Sequence, residues 1–179
     1  GNVDCHEGHL LQFAELGAAY SIVVRGIENP RVALLNIGQE TTKGSALHRS
    51  AFQLLSDLPA SRFHFKGNIE GRDVFHSDID VVVCDGFSGN VLLKTAEGVG
   101  LFLLEKIQKL FKEDVPRNKM EYLQTLFNYI EHPGGYLCGV KGHVVKCHGS
   151  ATSQSLASSI LFAADLAARD VSGKIAAFF

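Results

Sequence analysis

Asp80-Val-Val-Val-Cys-Asp-Gly-Phe-Ser-Gly-Asn-Val-Leu-Leu-Lys94 decides how this chain is read. A β-branched apolar run stops at Asp85. Gly86 and Gly89 then bracket a tight polar loop, and Asn90 opens an apolar helical pattern. Such a junction aims backbone N–H groups and a helix N-terminus at one point, an arrangement that suits an anion.

The same pattern recurs outward from it. Residues 7–24 read as a helix, with Leu10, Phe13, Ala14, Gly17 and Ala18 near helical spacing. Val32-Ala-Leu-Leu-Asn36 reads as a buried strand after Pro30. A polar loop from Gly38 to Gly44 leads into an amphipathic helix marked by Leu47, Ala51, Leu54, Leu55 and Leu58. Phe63-His-Phe65 reads as a short strand, followed by the loop Lys66-Gly-Asn-Ile-Glu-Gly-Arg-Asp73. Val144-Val-Lys-Cys147 reads as another strand, leading through His148-Gly-Ser150 into a helix over 152–169. Ser172 to Phe179 carry no clear pattern.

Strands that are continuous apolar runs and alternate with helices predict an α/β fold. Its sheet is expected to be mainly parallel and covered on both faces. Ligands of such sheets bind beyond the carboxyl ends of the strands. Four strand ends release a glycine in polar company, and all four are expected to converge on one edge. The groups gathered there are Asn36, Gly38, Lys43, Asn68, Glu70, Arg72, Asp85, Gly86, Gly89, Asn90, Lys94, His148, Gly149 and Ser150. Cations and helix N-termini outnumber acids, which suits a phosphate or a developing oxyanion. Plain structural readings stand beside this one, with His148 as a turn histidine and Arg72 with Asp73 as a surface ion pair.

Residues 98–131 break the alternation and read as an inserted helical hairpin. Leu103, Leu104, Ile107, Leu110 and Phe111 fall on one face of its first arm, with Lys106, Lys109 and Lys112 opposite. Met120, Leu123, Leu126, Phe127 and Ile130 fall on one arc of the second. Packing on the core, a dimer interface and a membrane-dipping surface are three readings of these faces.

Composition narrows the classes. The 179 residues are 46% hydrophobic and 20% charged, an ordinary globular balance with room for one substantial core. A net charge of -2 gives no basic field for nucleic acid. No apolar run reaches the length of a membrane span. Cys5, Cys84, Cys138 and Cys147 are scattered, as for reduced thiols in a cytosolic protein. Gly-Phe-Ser88-Gly-Asn is not a hydrolase elbow. Cys138, His143, Cys147 and His148 match no common zinc spacing. No strand–helix turn carries a Rossmann Gly-x-Gly-x-x-Gly. No metal or cofactor is expected.

Asn29-Pro-Arg-Val-Ala-Leu-Leu-Asn-Ile-Gly38, Lys43-Gly44, Gly67-Asn-Ile-Glu-Gly-Arg-Asp73 and the stretch Asp80 to Gly98 resemble the bacterial phosphate acyltransferase (PlsX) family, as does Asn2-Val-Asp4. The resemblance runs over nearly the whole chain but covers only the carboxyl half of that family. The chain is therefore expected to be the carboxyl-terminal part of a longer domain, with the helical insertion at about 98–131. The sequence departs from the family at His132-Pro-Gly-Gly135, where a tyrosine commonly precedes Gly-Gly, and at Ala151-Thr152 after the retained His148-Gly149-Ser150.

The resemblance implies a three-layer αβα fold similar to isocitrate dehydrogenase and phosphotransacetylase. It implies transfer of a fatty acyl group from acyl carrier protein to inorganic phosphate, giving acyl phosphate for phospholipid synthesis. Asp85, His148 and Asn90 are then the expected catalytic residues, and the other strand-end groups bind phosphate and substrate. The family is typically a soluble homodimer of the cytoplasm that meets the membrane through a helical tip. Lys106, Lys109, Lys112, Arg117 and Lys119 are the expected dock for the acidic carrier protein, or for anionic lipid at the inner face of the membrane. A phosphotransacetylase-like enzyme using acyl-coenzyme A is the alternative enzyme, and an inactive interaction module is the alternative of another class.

Overall fold

The computed structural model describes residues 2–59, 62–111, 119, 122–123, 134–147, 149 and 151–179. It is α/β, with a three-stranded parallel sheet and helices. α1 (Glu7–Arg25) leads to β1 (Arg31–Asn36), α2 (Ala46–Ser56), β2 (His64–Glu70), β3 (Val81–Val83) and α3 (Gly86–Phe111). β1 is central and pairs in parallel with both neighbours, in the order β2-β1-β3.

Alternation along β1 sends Val32 and Leu34 to one face. There they are fully buried among Leu10, Ala14 and Ala18 of α1 and Ala51 and Leu55 of α2. Small residues on α1 let the helix lie close to the sheet, which is why an alanine-rich stripe serves as a core face. Val83 and Phe63 close this cluster. The start of the sheet is fastened by charge. Arg31 donates from its backbone N–H and Nε to Asp80 Oδ2, both at 2.9 Å, and its guanidinium also reaches Asp78 at 2.7 Å.

The other side of α1 holds a second cluster. Ala19 packs with Leu166 of α4 (Ser153–Ala168) and with Val171 and Ile175 of α5 (Val171–Ala176). The tail from 172 is thus helical to Ala176, started by Asp170, whose side chain accepts from Gly173 N–H.

Four expectations need correction. Lys66 to Glu70 are strand rather than loop. β2 carries one extra residue between the partners of Val32 and Leu34, so Gly67 and Asn68 sit in a bulged strand. The helix after β3 begins at Gly86 rather than near Asn90, because Asp85 caps it. That helix also runs unbroken past residue 98, so the first arm of the expected hairpin is the second half of α3. Of the residues expected on one face of that arm, Leu104 is buried and Ile107 half-buried, while Leu103 and Leu110 are exposed. The second arm, including Met120, Leu126, Phe127 and Ile130, lies outside the described residues.

The fourth correction matters most for function. Val144 to Cys147 do not add a strand to the parallel sheet. Val145–Lys146 form β5, antiparallel to β4 (Gly135–Tyr136), in a separate ribbon. A ladder of two residues stabilises little by itself. This ribbon is held because Tyr136, Cys138 and Val145 pack against the α1–α4–α5 cluster. Among the described residues, three strand ends rather than four share one edge.

Candidate active site at the carboxyl edge of the sheet

Polar side chains stand at the carboxyl ends of the strands. Asn36 ends β1 directly opposite Glu70 of β2. On the other side the pairing ends with Leu34 and Val83, and Asp85 follows two residues on, at the start of α3.

Asn36 is 8% exposed, and a buried amide needs partners. Its Oδ1 accepts from Ile37 N–H at 2.8 Å, and its Nδ2 donates to Lys43 O at 3.2 Å. The loop 37–44 is thereby folded back over the end of β1. Asn68 Nδ2 donates to Glu40 O at 3.0 Å from the neighbouring strand, and Arg49 Nη1 donates to Gly44 O at 2.6 Å. Gly44 must be glycine: its φ is +84°, and a Cβ there would stand 2.5 Å from Asn36 Oδ1. Asn68 Oδ1 is buried with no hydrogen-bond partner among the described residues.

Two cations stand on this loop and its neighbour. Lys43 Nζ lies 3.9 Å from Glu40, and Arg72 donates to Glu70 at 3.0 Å with Asp73 at 3.9 Å. The Arg72 side chain is 74% exposed, so these pairs are screened and hold it weakly. Lys94, exposed on α3, contacts Glu97 at 2.7 Å, and Asn90 is exposed one turn into the same helix.

The start of α3 differs from what the sequence suggests. Gly86 N–H donates to Asn2 O at 2.7 Å, and Ser88 N–H donates to Asp85 Oδ1 at 2.7 Å. Ser88 Oγ donates to Asp85 Oδ2 at 2.8 Å. The anion at this helix start is the chain's own carboxylate, which takes the N–H groups expected to await a ligand. Burial pushes the Asp85 carboxyl up, but hydrogen bonds from Ser88 and Phe87 outweigh it and hold the group below its ordinary value. Gly89 lets this turn close on the strand, since a Cβ there would come 2.6 Å from Cys84 Sγ. Burial, with Asp85 as the next cause, raises the Cys84 thiol.

Asn36, Gly38, Lys43, Asn68, Glu70, Arg72, Asp85, Gly86 and Gly89 thus share the edge. Gly149 is exposed beyond the separate ribbon, while His148 and Ser150 lie outside the described residues. Lys106 sits over the Phe102 ring at 5.3 Å, Lys109 and Lys119 are exposed, and Lys112 and Arg117 are outside the described residues. The asparagine clamps and the Asp85–Ser88 cap escaped the sequence reading. An Asp three residues before a Ser, ahead of an apolar helical run, is the signal that would have found the cap.

A family model described as fatty acid synthesis protein matches residues 1–174. The chain is 41% identical over 178 residues to proteins named phosphate acyltransferase from Bacillus cytotoxicus and Bacillus cereus (strain B4264). It is 40% identical to one of the same name from Bacillus thuringiensis (strain Al Hakam). Each match covers 95% of this chain and 53% of the relative, so the chain spans about half the length of these curated relatives.

Proposed function

The chain belongs to the fatty acid synthesis protein family, and on that premise we propose that it is the carboxyl-terminal part of a phosphate acyltransferase. The reaction joins a phosphate oxygen to the carbonyl carbon of a fatty acyl thioester and breaks the carbon–sulfur bond. The thiolate leaves and takes up the proton that phosphate gives up. The products are acyl phosphate and free acyl carrier protein, and the acyl phosphate feeds phospholipid synthesis.

The observation that carries this reading is the cation-bearing edge itself: Lys43 and Arg72 at the strand ends that also carry the paired Asn36 and Glu70 and, after β3, Asp85. Phosphate at neutral pH is already nucleophilic and gains most from being bound and oriented. Lys43 and Arg72 supply the charge, and an incoming dianion competes well with the weakly held Glu70 and Asp73. Asn36 and Asn68 hold the loop that presents Lys43. Asp85, ionised and rigid, fixes the start of α3 and with it Asn90 and Lys94. His148 and Ser150, carried over from the resemblance, are assigned to the thioester carbonyl, where donors are needed as negative charge develops.

The finer fold is taken as three-layer αβα of the isocitrate dehydrogenase and phosphotransacetylase kind, with the second half of α3 opening a helical insertion. Lys106 and Lys109 on α3, with Lys112, Arg117 and Lys119, form the contact for an acidic carrier protein or an anionic membrane. The exposed Leu101, Phe102, Leu103 and Leu110 beside them support an apolar partner surface. A cytoplasmic homodimer with peripheral membrane contact is the assembly this implies. No helix among the described residues is long and apolar enough to cross a membrane.

Incorporation of radiolabelled inorganic phosphate into acyl phosphate tests the activity. The assay is run on this chain alone and on the chain joined to the upstream half of a Bacillus relative. Product from acyl carrier protein thioester in the joined form supports the proposal. Equal use of acyl-coenzyme A favours a phosphotransacetylase-like enzyme, and no product in either form overturns the catalytic reading.

A further inference from the structure

Each of the three strand ends at the candidate site displays one large apolar side chain to solvent. Ile37, immediately after Asn36, is 81% exposed. Phe75, in the turn after β2, is 62% exposed, and Phe87, in the first turn of α3, is 64% exposed. The turn holding Phe75 is fastened to the strand end, because Asp73 N–H donates to Glu70 O at 2.9 Å and His76 N–H to Asp73 O at 3.1 Å. Phe87 is fixed by the Asp85 cap on either side of it. Ile37 is fixed by Asn36 Oδ1. These side chains are therefore presented on tied backbone rather than on loose loops.

From this we infer that Ile37, Phe75 and Phe87 form the subsite for the alkyl chain of the acyl group, rimming the phosphate-binding edge. Inorganic phosphate gains nothing from apolar contact, whereas the alkyl chain of an acyl group gains from all three. An amphipathic anion uses both halves of the edge: its head meets Lys43 and Arg72, and its chain covers the rim. The rim's worth then grows with chain length, since a fully buried methylene contributes roughly 0.8 kcal/mol, or about fourfold in affinity. The inference rests on the proposed acyl transfer and adds to it the residues that read the acyl chain.

Butyl, octyl and dodecyl phosphate, each below its micelle concentration, serve as probes in calorimetric titrations of this chain. Affinity is expected to climb with chain length in the unaltered protein. Phe75→Ser, Phe87→Ser and Ile37→Ser are each expected to flatten that climb, and the triple variant to abolish most of it. Circular dichroism confirms that the variants, all at exposed positions, remain folded. The affinity for inorganic phosphate itself, obtained from its competition after correction for each variant's own affinity for butyl phosphate, is expected to be unchanged in all of them. The same slope in every variant, or no slope in the unaltered protein, overturns the rim. Self-association that the triple variant removes, without alkyl phosphate binding, assigns these side chains to a protein contact and also overturns it. Failure of inorganic phosphate to compete, with the slope intact and flattened by the variants, leaves the rim standing and removes the phosphate site instead.

Discussion

Asn36 and Asn68, on neighbouring strands, donate to two carbonyls of the same loop, Lys43 O at 3.2 Å and Glu40 O at 3.0 Å. The loop that carries Lys43 is thus fastened to both strands by neutral hydrogen bonds, which salt does not screen.

Removing either clamp loosens the loop. Asn36→Ala and Asn68→Ala are each expected to cost about 1 kcal/mol of local stability, the usual net worth of one such bond. Faster amide exchange at Lys43, whose N–H donates to Glu40 O, reports the loosening. In an active form, the Michaelis constant for phosphate rises more than turnover falls. Unchanged exchange at Lys43 would show that the loop is held by other contacts.

Asp85 separates capping from chemistry. Asparagine is as good an N-cap as aspartate, whereas alanine costs about 0.5–2 kcal/mol. Asp85→Asn is expected to keep the melting temperature nearly intact while turnover falls strongly, and Asp85→Ala to lose both. If Asp85→Asn retains near-normal turnover, the carboxylate serves only the helix start.

A steric pair tests the junction of β3 and α3. Gly89→Ala places its methyl against Cys84 Sγ and is expected to destabilise by roughly 1–3 kcal/mol, as overpacking does. Cys84→Ala in the same chain makes room and recovers most of that loss, so the two changes are non-additive. Simple additivity in denaturant titrations would place the strain elsewhere.

Acid stability has a worked sign. Hydrogen bonds from the Arg31 side chain, against the opposing effect of burial, hold Asp80 below its ordinary value of 3.8. A carboxyl depressed in the folded state adds stability that is fully present above pH 3.8 and drains away as pH falls through the lower, folded value. Asp80→Asn is expected to lower stability at neutral pH and to flatten the loss between about pH 5 and pH 2. Thermal melts across that range check both features, and an unchanged acid slope would remove Asp80 from the linkage.

The central strand was plain in the sequence because its buried run is flanked by Pro30 and a polar loop, and α1, α2 and α4 were plain from their spacing. Gly86 and Gly89 misled because glycine marks both a loop and a close approach of helix to strand, and only the position of Cys84 decides which. Gly67-Asn68 misled similarly, since a bulge uses the residues a loop uses. The β4–β5 ribbon was beyond reach: two residues per strand give no period, and their stability comes from contacts with α1 and α5 far away in sequence. At the carboxyl edge, which residues gather there was largely legible from the strand ends, but the asparagine clamps were not, because they depend on which strands lie side by side.

The strand order has a consequence during synthesis. β1 occupies the middle of the sheet, yet both strands that flank it, at residues 64–70 and 81–83, leave the ribosome after it. For that interval both long edges of Val32-Ala-Leu-Leu lack their native partners, the condition in which a nascent chain pairs with the wrong strand. α1 has already emerged by then, and its alanine-lined face can cover one side of β1 while the edges wait. A pause while residues 37–63 are leaving the ribosomal tunnel would lengthen that exposure, while one after residue 83 has left it would not.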